Sequence, residues 1–163
     1  LLEACGEEFQ LLPQQDRAQS QETLDRLYGE GKHAFALYDG KSWTVLSLKD
    51  PQVMERLLPD KSEAYRLLDV SVLHSLVLEK FLGIDRENMA NQKNLTYTRS
   101  AQEAEESVAK GESQCCFLLN PTRVEEIGAV AQNGEKMPQK STYFYPKLIT
   151  GLVINSMDDF TGA

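Results

Sequence analysis

The stretch HAFALYDGKSWTVLSL, residues 33–48, constrains this chain more than any other. Phe35 and Leu37 alternate on one side of Asp39-Gly40, and Trp43, Val45 and Leu46 follow on the other. An Asp-Gly pair supplies the positive φ that a tight turn needs, so two short period-two runs joined there predict an antiparallel hairpin.

A second strong signal is DVSVLHSLVLEKFLG, residues 69–83. Its apolar residues cover most of a helical circumference and leave a narrow polar stripe through Ser75 and Glu79, which predicts a helix buried on several sides. Asp69 is the expected N-cap and Gly83 the expected C-terminal stop.

Other elements follow from local punctuation. Residues 8–12 read as a short strand that Pro13 closes, and residues 20–29 as an amphipathic helix with Ser20 as N-cap and Gly29 as terminator. Asp50-Pro51 opens a helix that Pro59 ends. The third part alternates: a strand over 95–98, a helix over 100–110, a strand over 114–119 and a helix from about Thr122, where Thr122 and Glu125 have capping-box spacing. GLVIN, from Gly151, reads as a terminal strand buried on both faces. Together these predict one α+β domain over residues 1–163, a mixed β-sheet with an N-terminal antiparallel hairpin and later β-α-β units, flanked by helices.

Bulk properties exclude several classes. A chain of 163 residues, 41% hydrophobic and 26% charged, fits one soluble globular domain. Its formal charge of −8 argues against a general nucleic-acid binder, which needs a clustered Lys/Arg surface. The longest apolar run is broken by His74, Glu79 and Lys80, so no membrane span is expected. The acidic start LLEACGEEFQLL lacks the basic region of a signal peptide, and a cytoplasmic setting follows. The three cysteines and two histidines show no zinc spacing, so no metal is expected. Cys115 and Cys116 are neighbours on a strand, point to opposite faces, and are expected to be free thiols. The first residue is leucine rather than methionine, which predicts a piece of a longer protein.

The segment GEKMPQKSTYFYPKLITGLVIN, from Gly134, poses the functional question. Gly134 and Lys140-Ser141 sit at phosphate-loop offsets, but Gln139 stands where that loop needs its second glycine, and Pro138 and Pro146 oppose a following helix. A phosphate loop is therefore rejected. What remains is an extended segment in which Ser141, Thr142 and Tyr143 offer hydroxyls, with Lys140 and Lys147 flanking them as point charges for a phosphate or carboxylate. Solvated lysines beside sheet-sealing aromatics are the plainer alternative. Two weaker candidates lie elsewhere. His74 is a lone histidine on the apolar helix, a position more often structural than catalytic. Arg99 precedes a helix N-terminus, where anions are favoured, or it pairs with a nearby glutamate.

MPQKSTYFYPKLITGLVIN resembles the C-terminal signature of the domain of unknown function 1015 (DUF1015) family, and LLDVSVLHSLVLEKFLGI is similar to its central helix. With LTYTRS and FLLNPTRVEEI, the resemblance spans essentially the whole chain. It implies that this chain is the C-terminal half of a larger protein. The upstream half of such proteins carries an Asp-Gly-His-His-Arg motif similar to that of the nucleotide-binding ParB and sulfiredoxin superfamily, and a related free serine kinase points to phosphotransfer. That motif is absent here. The implied function is the substrate-side or anion-binding half of a nucleotide-dependent protein, with no cofactor in this half, a nucleotide in the full-length protein, and the missing N-terminal half as partner. The alternative is a non-catalytic interaction or structural domain whose apolar helix or sheet edge docks a partner.

Overall fold

The computed structural model describes residues 1–142. In chain order they form α1 (Leu2–Glu8), β1 (Phe9–Gln14), α2 (Arg17–Gly29), β2 (Ala34–Tyr38), β3 (Trp43–Leu48), α3 (Gln52–Leu57), α4 (Glu63–Arg66) and α5 (Asp69–Val72). A π-helix (Leu73–Phe81), α6 (Arg86–Asn91), α7 (Ala101–Ala109), β4 (Cys116–Leu119) and α8 (Val124–Gln132) follow. The architecture is α+β: a four-stranded sheet in the order β1-β3-β2-β4 with helices against it.

The hairpin forms as the sequence predicts. Tyr38 pairs with Trp43 and Ala34 with Ser47. Gly40 turns the chain at φ +85°, while the Asp39 carboxylate accepts from the amides of Lys41 at 2.9 Å and Ser42 at 2.8 Å. β2 and β3 are the central strands, and nearly every side chain on them is buried. Alternation therefore separates two cores instead of a core and a solvent face. Phe35, Leu37 and Leu46 join Phe9, Met54, Val72, Leu76 and Val77 on one side. Ala36, Trp43 and Val45 meet Leu24 and Leu27 of α2 on the other. Phe35 stands edge-to-face with Phe9 at 5.3 Å and Phe117 at 6.0 Å, and Tyr38 stacks on Trp43 at 4.8 Å. Each such pair adds about 0.5–1.5 kcal/mol beyond its buried area.

All strand pairs among the described residues are antiparallel, which corrects the mixed sheet expected from the sequence. Neither expected β-α-β unit is seen among the described residues: the first needs a strand over 95–98, and the second needs the strand from Gly151. β3 and β4 run in the same direction. β2 lies between them, however, so both hydrogen-bond β2 antiparallel instead of pairing with each other. The strand expected over 95–98 is likewise absent. Leu95 and Tyr97 are half-buried and Thr96 and Thr98 exposed, so the alternation is real, but no neighbouring strand supplies a ladder. The strand expected from Gly151 lies outside the described residues.

Several boundaries move for identifiable reasons. Pro13 sits inside β1 opposite Thr44; β1 is an edge strand, where the missing amide costs no ladder bond. Asp16, not Ser20, caps α2 by accepting from the Gln19 amide at 2.9 Å, and the Ser20 hydroxyl donates back to the Asp16 carbonyl at 2.8 Å. α8 begins one residue later than the Thr122 reading: Glu126 accepts from the Arg123 amide at 2.7 Å, and the Thr122 hydroxyl donates instead to the Ser141 carbonyl at 3.1 Å. Ser100 caps α7 through the Glu103 amide, as expected.

The buried helix is where the sequence predicts it but changes pitch. Only α5 is α-helical; beyond it the Leu82 amide reaches the Val77 carbonyl five residues back at 2.9 Å. A stretch apolar around its whole circumference carries no clear 3.6-residue signature, so the sequence could not separate the two pitches. Asp69 is not the N-cap. It is the first helical residue, with Leu68 preceding it, and its side chain turns away toward His33.

Candidate functional site

β4 carries no strand on its outer side among the described residues. A cleft of about 1470 Å³ runs there, walled by the π-helix, the segment 93–100, the start of α7, the start of α8 and residues 140–142. Its position follows from β4 itself. Cys116 and Leu118 face one core, Phe117 and Leu119 the other, yet all four line the cleft. Only the strand edge is common to residues that point to opposite faces.

Of the residues singled out in the sequence, His74, Arg99, Lys140, Ser141 and Thr142 all line this cleft. Tyr143 and Lys147 lie outside the described residues. Lys140 is exposed and adopts a left-handed backbone, φ +57°, uncommon for a residue with a side chain. Ser141 is held in place: its hydroxyl donates to the Pro138 carbonyl at 2.7 Å, and its own carbonyl accepts from Thr122. The Ser141 proton is thus committed within the chain, and what it offers the cleft is acceptor capacity.

His74 projects from the π-helix, half-buried, and burial pushes its imidazole below the ordinary 6.5, so the ring is neutral at pH 7. Arg99 stands just before α7, but that helix start is already satisfied by Ser100 and by Glu103, whose carboxylate accepts from the Thr98 hydroxyl at 2.6 Å. The helix end therefore offers less to an outside anion than the sequence suggests. Tyr97 also lines the cleft, and its hydroxyl is buried without a hydrogen-bond partner.

Sequence reasoning missed a polar cluster at the inner end of the cleft. Asp69 Oδ1 and His33 Nδ1 lie 3.1 Å apart, with the carboxylate side chain 11% exposed. Burial raises the Asp69 carboxyl, opposed by the hydrogen bond and charge of His33. Beside it, the Tyr28 hydroxyl donates to Glu126 at 3.1 Å, and the Arg123 guanidinium covers the Tyr28 ring at 3.8 Å. Burial first, then the Glu126 charge, pushes the Tyr28 phenol up to about 12. These residues come from α2, the start of β2, α5 and α8, and no spacing along the chain links them. Asn120, buried at the end of β4, ties the strand to α2 through the Leu24 carbonyl at 3.1 Å.

The cleft carries both signs: Lys93, Arg99 and Lys140 against Asp69, Glu103, Glu112 and Glu126. Three of those carboxylates are hydrogen-bonded within the chain, to His33, Thr98 and Tyr28. Among the described residues no group of three or more His, Cys, Asp or Glu could hold a metal ion, and no helix is long and apolar enough to cross a membrane. Cys5, Cys115 and Cys116 are free thiols.

Fold and site together define an α+β domain with a mixed-charge cleft beside β4, which carries no outer strand among the described residues. No family model, curated protein or solved structure matches the chain.

Proposed function

We propose that this chain is the substrate-side, anion-binding half of a larger nucleotide-dependent protein, and that its cleft receives a phosphorylated or carboxylate small molecule. One observation carries the reading: His74, Arg99 and the 140–142 segment, distant in sequence and selected for their chemistry, line one cleft. The resemblance to the DUF1015 family supports the nucleotide-dependent, possible-phosphotransfer setting and the missing N-terminal half as partner. The free thiols support the reducing, cytoplasmic compartment expected from the sequence. Lys140 would act as a flexible point charge, Thr142 as a hydroxyl donor and Ser141 as an acceptor. Tyr143 and Lys147 complete the set on sequence grounds.

Thermal unfolding of the full-length protein, and of residues 1–163 alone, with inorganic phosphate or ATP tests this, comparing wild type with the Lys140→Ala/Lys147→Ala double variant. A ligand at ten times its Kd stabilises the folded state by about 1.4 kcal/mol. The full-length protein should gain melting temperature with one of the two probes and its double variant should not, with ligand-free melting unchanged, while residues 1–163 alone should respond little. Equal shifts in both proteins would refute the reading.

A further inference from the structure

Residues 135–142 form no helix or strand, yet side chains fix both ends of the stretch. At the near end the Glu135 carboxylate, 14% exposed, reaches the start of α4. Its Oε2 accepts from the Ser62 amide at 3.1 Å and from the Ser62 hydroxyl, while its Oε1 faces the Lys61 ammonium at 3.4 Å. The Ser62 oxygen also accepts from the Tyr65 amide at 3.2 Å, and the Lys61 ammonium lies 4.7 Å from the centre of the Tyr65 ring. The bond from the Ser62 hydroxyl, above all, holds the Glu135 carboxyl below its ordinary range, so the group is charged at pH 7 and its hydrogen bonds are charge-assisted. At the far end the Thr122 hydroxyl donates to the Ser141 carbonyl at 3.1 Å. Between them the Ser141 amide and hydroxyl both donate to the Pro138 carbonyl, at 3.4 and 2.7 Å, closing a turn over Pro138–Ser141. Lys140 is the third residue of that turn, at φ +57°, where glycine or asparagine is the usual choice. A lysine keeps a left-handed backbone only where its surroundings over-determine it.

We propose that residues 135–142 are a strap locked at both ends, and that Glu135 is the positioning residue that places Lys140, Ser141 and Thr142. Ser62 lies 73 positions away in sequence, so the contact is no by-product of local geometry. It fixes where the chain leaving α8 meets α4, and only residues 136–139 then separate the lock from Lys140. Released from Ser62, the stretch from Glu135 to Lys140 could span up to about 17 Å. That is enough to carry the lysine out of place and to let its backbone return to the right-handed region. The use of the placed residues for an anion rests on the proposed function; the lock itself does not.

Backbone nitrogen-15 order parameters of residues 1–163 test the lock. In wild type the amides of Met137, Gln139, Lys140 and Ser141 should have values close to those of α8, roughly 0.85, and in Glu135→Ala they should fall below about 0.6 while Ile127 and Val130 stay unchanged. Glu135→Gln, which keeps a carbonyl oxygen for the Ser62 donors, should recover part of the order. Thr122→Val should lower Ser141 more than Met137. Full-length Glu135→Ala should also lose the rise in melting temperature given by inorganic phosphate or ATP, although Lys140 and Lys147 are both kept. A strap as ordered in Glu135→Ala as in wild type would overturn the lock, and so would one already mobile in wild type. A loosened strap with the phosphate or ATP response intact would overturn the positioning role. A full-length wild type that ignores both probes would refute the anion reading alone, since the order parameters decide the lock without any ligand.

Discussion

The Asp69 carboxylate meets the His33 imidazole at 3.1 Å, Oδ1 to Nδ1, joining the start of α5 to the residue that leads into β2. One mostly buried carboxylate thus ties the buried helix to a central strand at the inner end of the cleft. Replacing it with alanine leaves the partly buried His33 ring without this partner, a loss of about 1–3 kcal/mol. Asp69→Ala should lower the urea midpoint clearly, and Asp69→Asn, which keeps an acceptor oxygen, should recover part of the loss. An unchanged midpoint for Asp69→Ala would show that the contact adds nothing to stability.

Leu73 begins the π-helix and is 6% exposed, whereas Leu82 at its end is 39% exposed. Removing a buried leucine side chain costs about 2–5 kcal/mol through lost transfer energy and the cavity left behind. Leu73→Ala should fall in that range by denaturant unfolding, and Leu82→Ala should cost less than about 1 kcal/mol. Equal effects would contradict the burial of this helix against the sheet.

His74 predicts a pH dependence. Burial lowers its folded-state pKa below the ordinary 6.5. As pH falls through about 6.5 the unfolded chain takes up a proton that the folded chain resists. This contribution to stability is therefore complete above about pH 6.5 and is lost as pH falls toward the folded value, by up to about 1.4 kcal/mol for each pH unit of that window. Asp69, whose carboxyl is raised, acts with the opposite sign: protonation favours the folded state as pH falls through its folded-state value. The comparison must therefore be differential. Stability curves of wild type and His74→Gln between pH 8 and 5 should converge toward the acid side, with wild type falling faster. Parallel curves would mean that the imidazole is solvated.

What the sequence determined by itself was local. Asp39-Gly40 between two apolar runs specified the hairpin because φ preference and side-chain alternation act over a few residues. The same locality made the capped helix after Ser100 and the opposed sides of Cys115 and Cys116 legible, as well as the burial of Val72, Leu73, Leu76, Val77 and Leu78. Only tertiary structure decided which strand lies beside which. β2 lies between β3 and β4, so every strand pair among the described residues is antiparallel, and β4 is the strand that borders the cleft. The same holds for His33 with Asp69 and Tyr28 with Glu126, which are brought together by the packing of α2, β2, α5 and α8. No periodicity encodes such pairs, because their partners are fixed by which faces the two cores bury rather than by any preference of the residues along the chain.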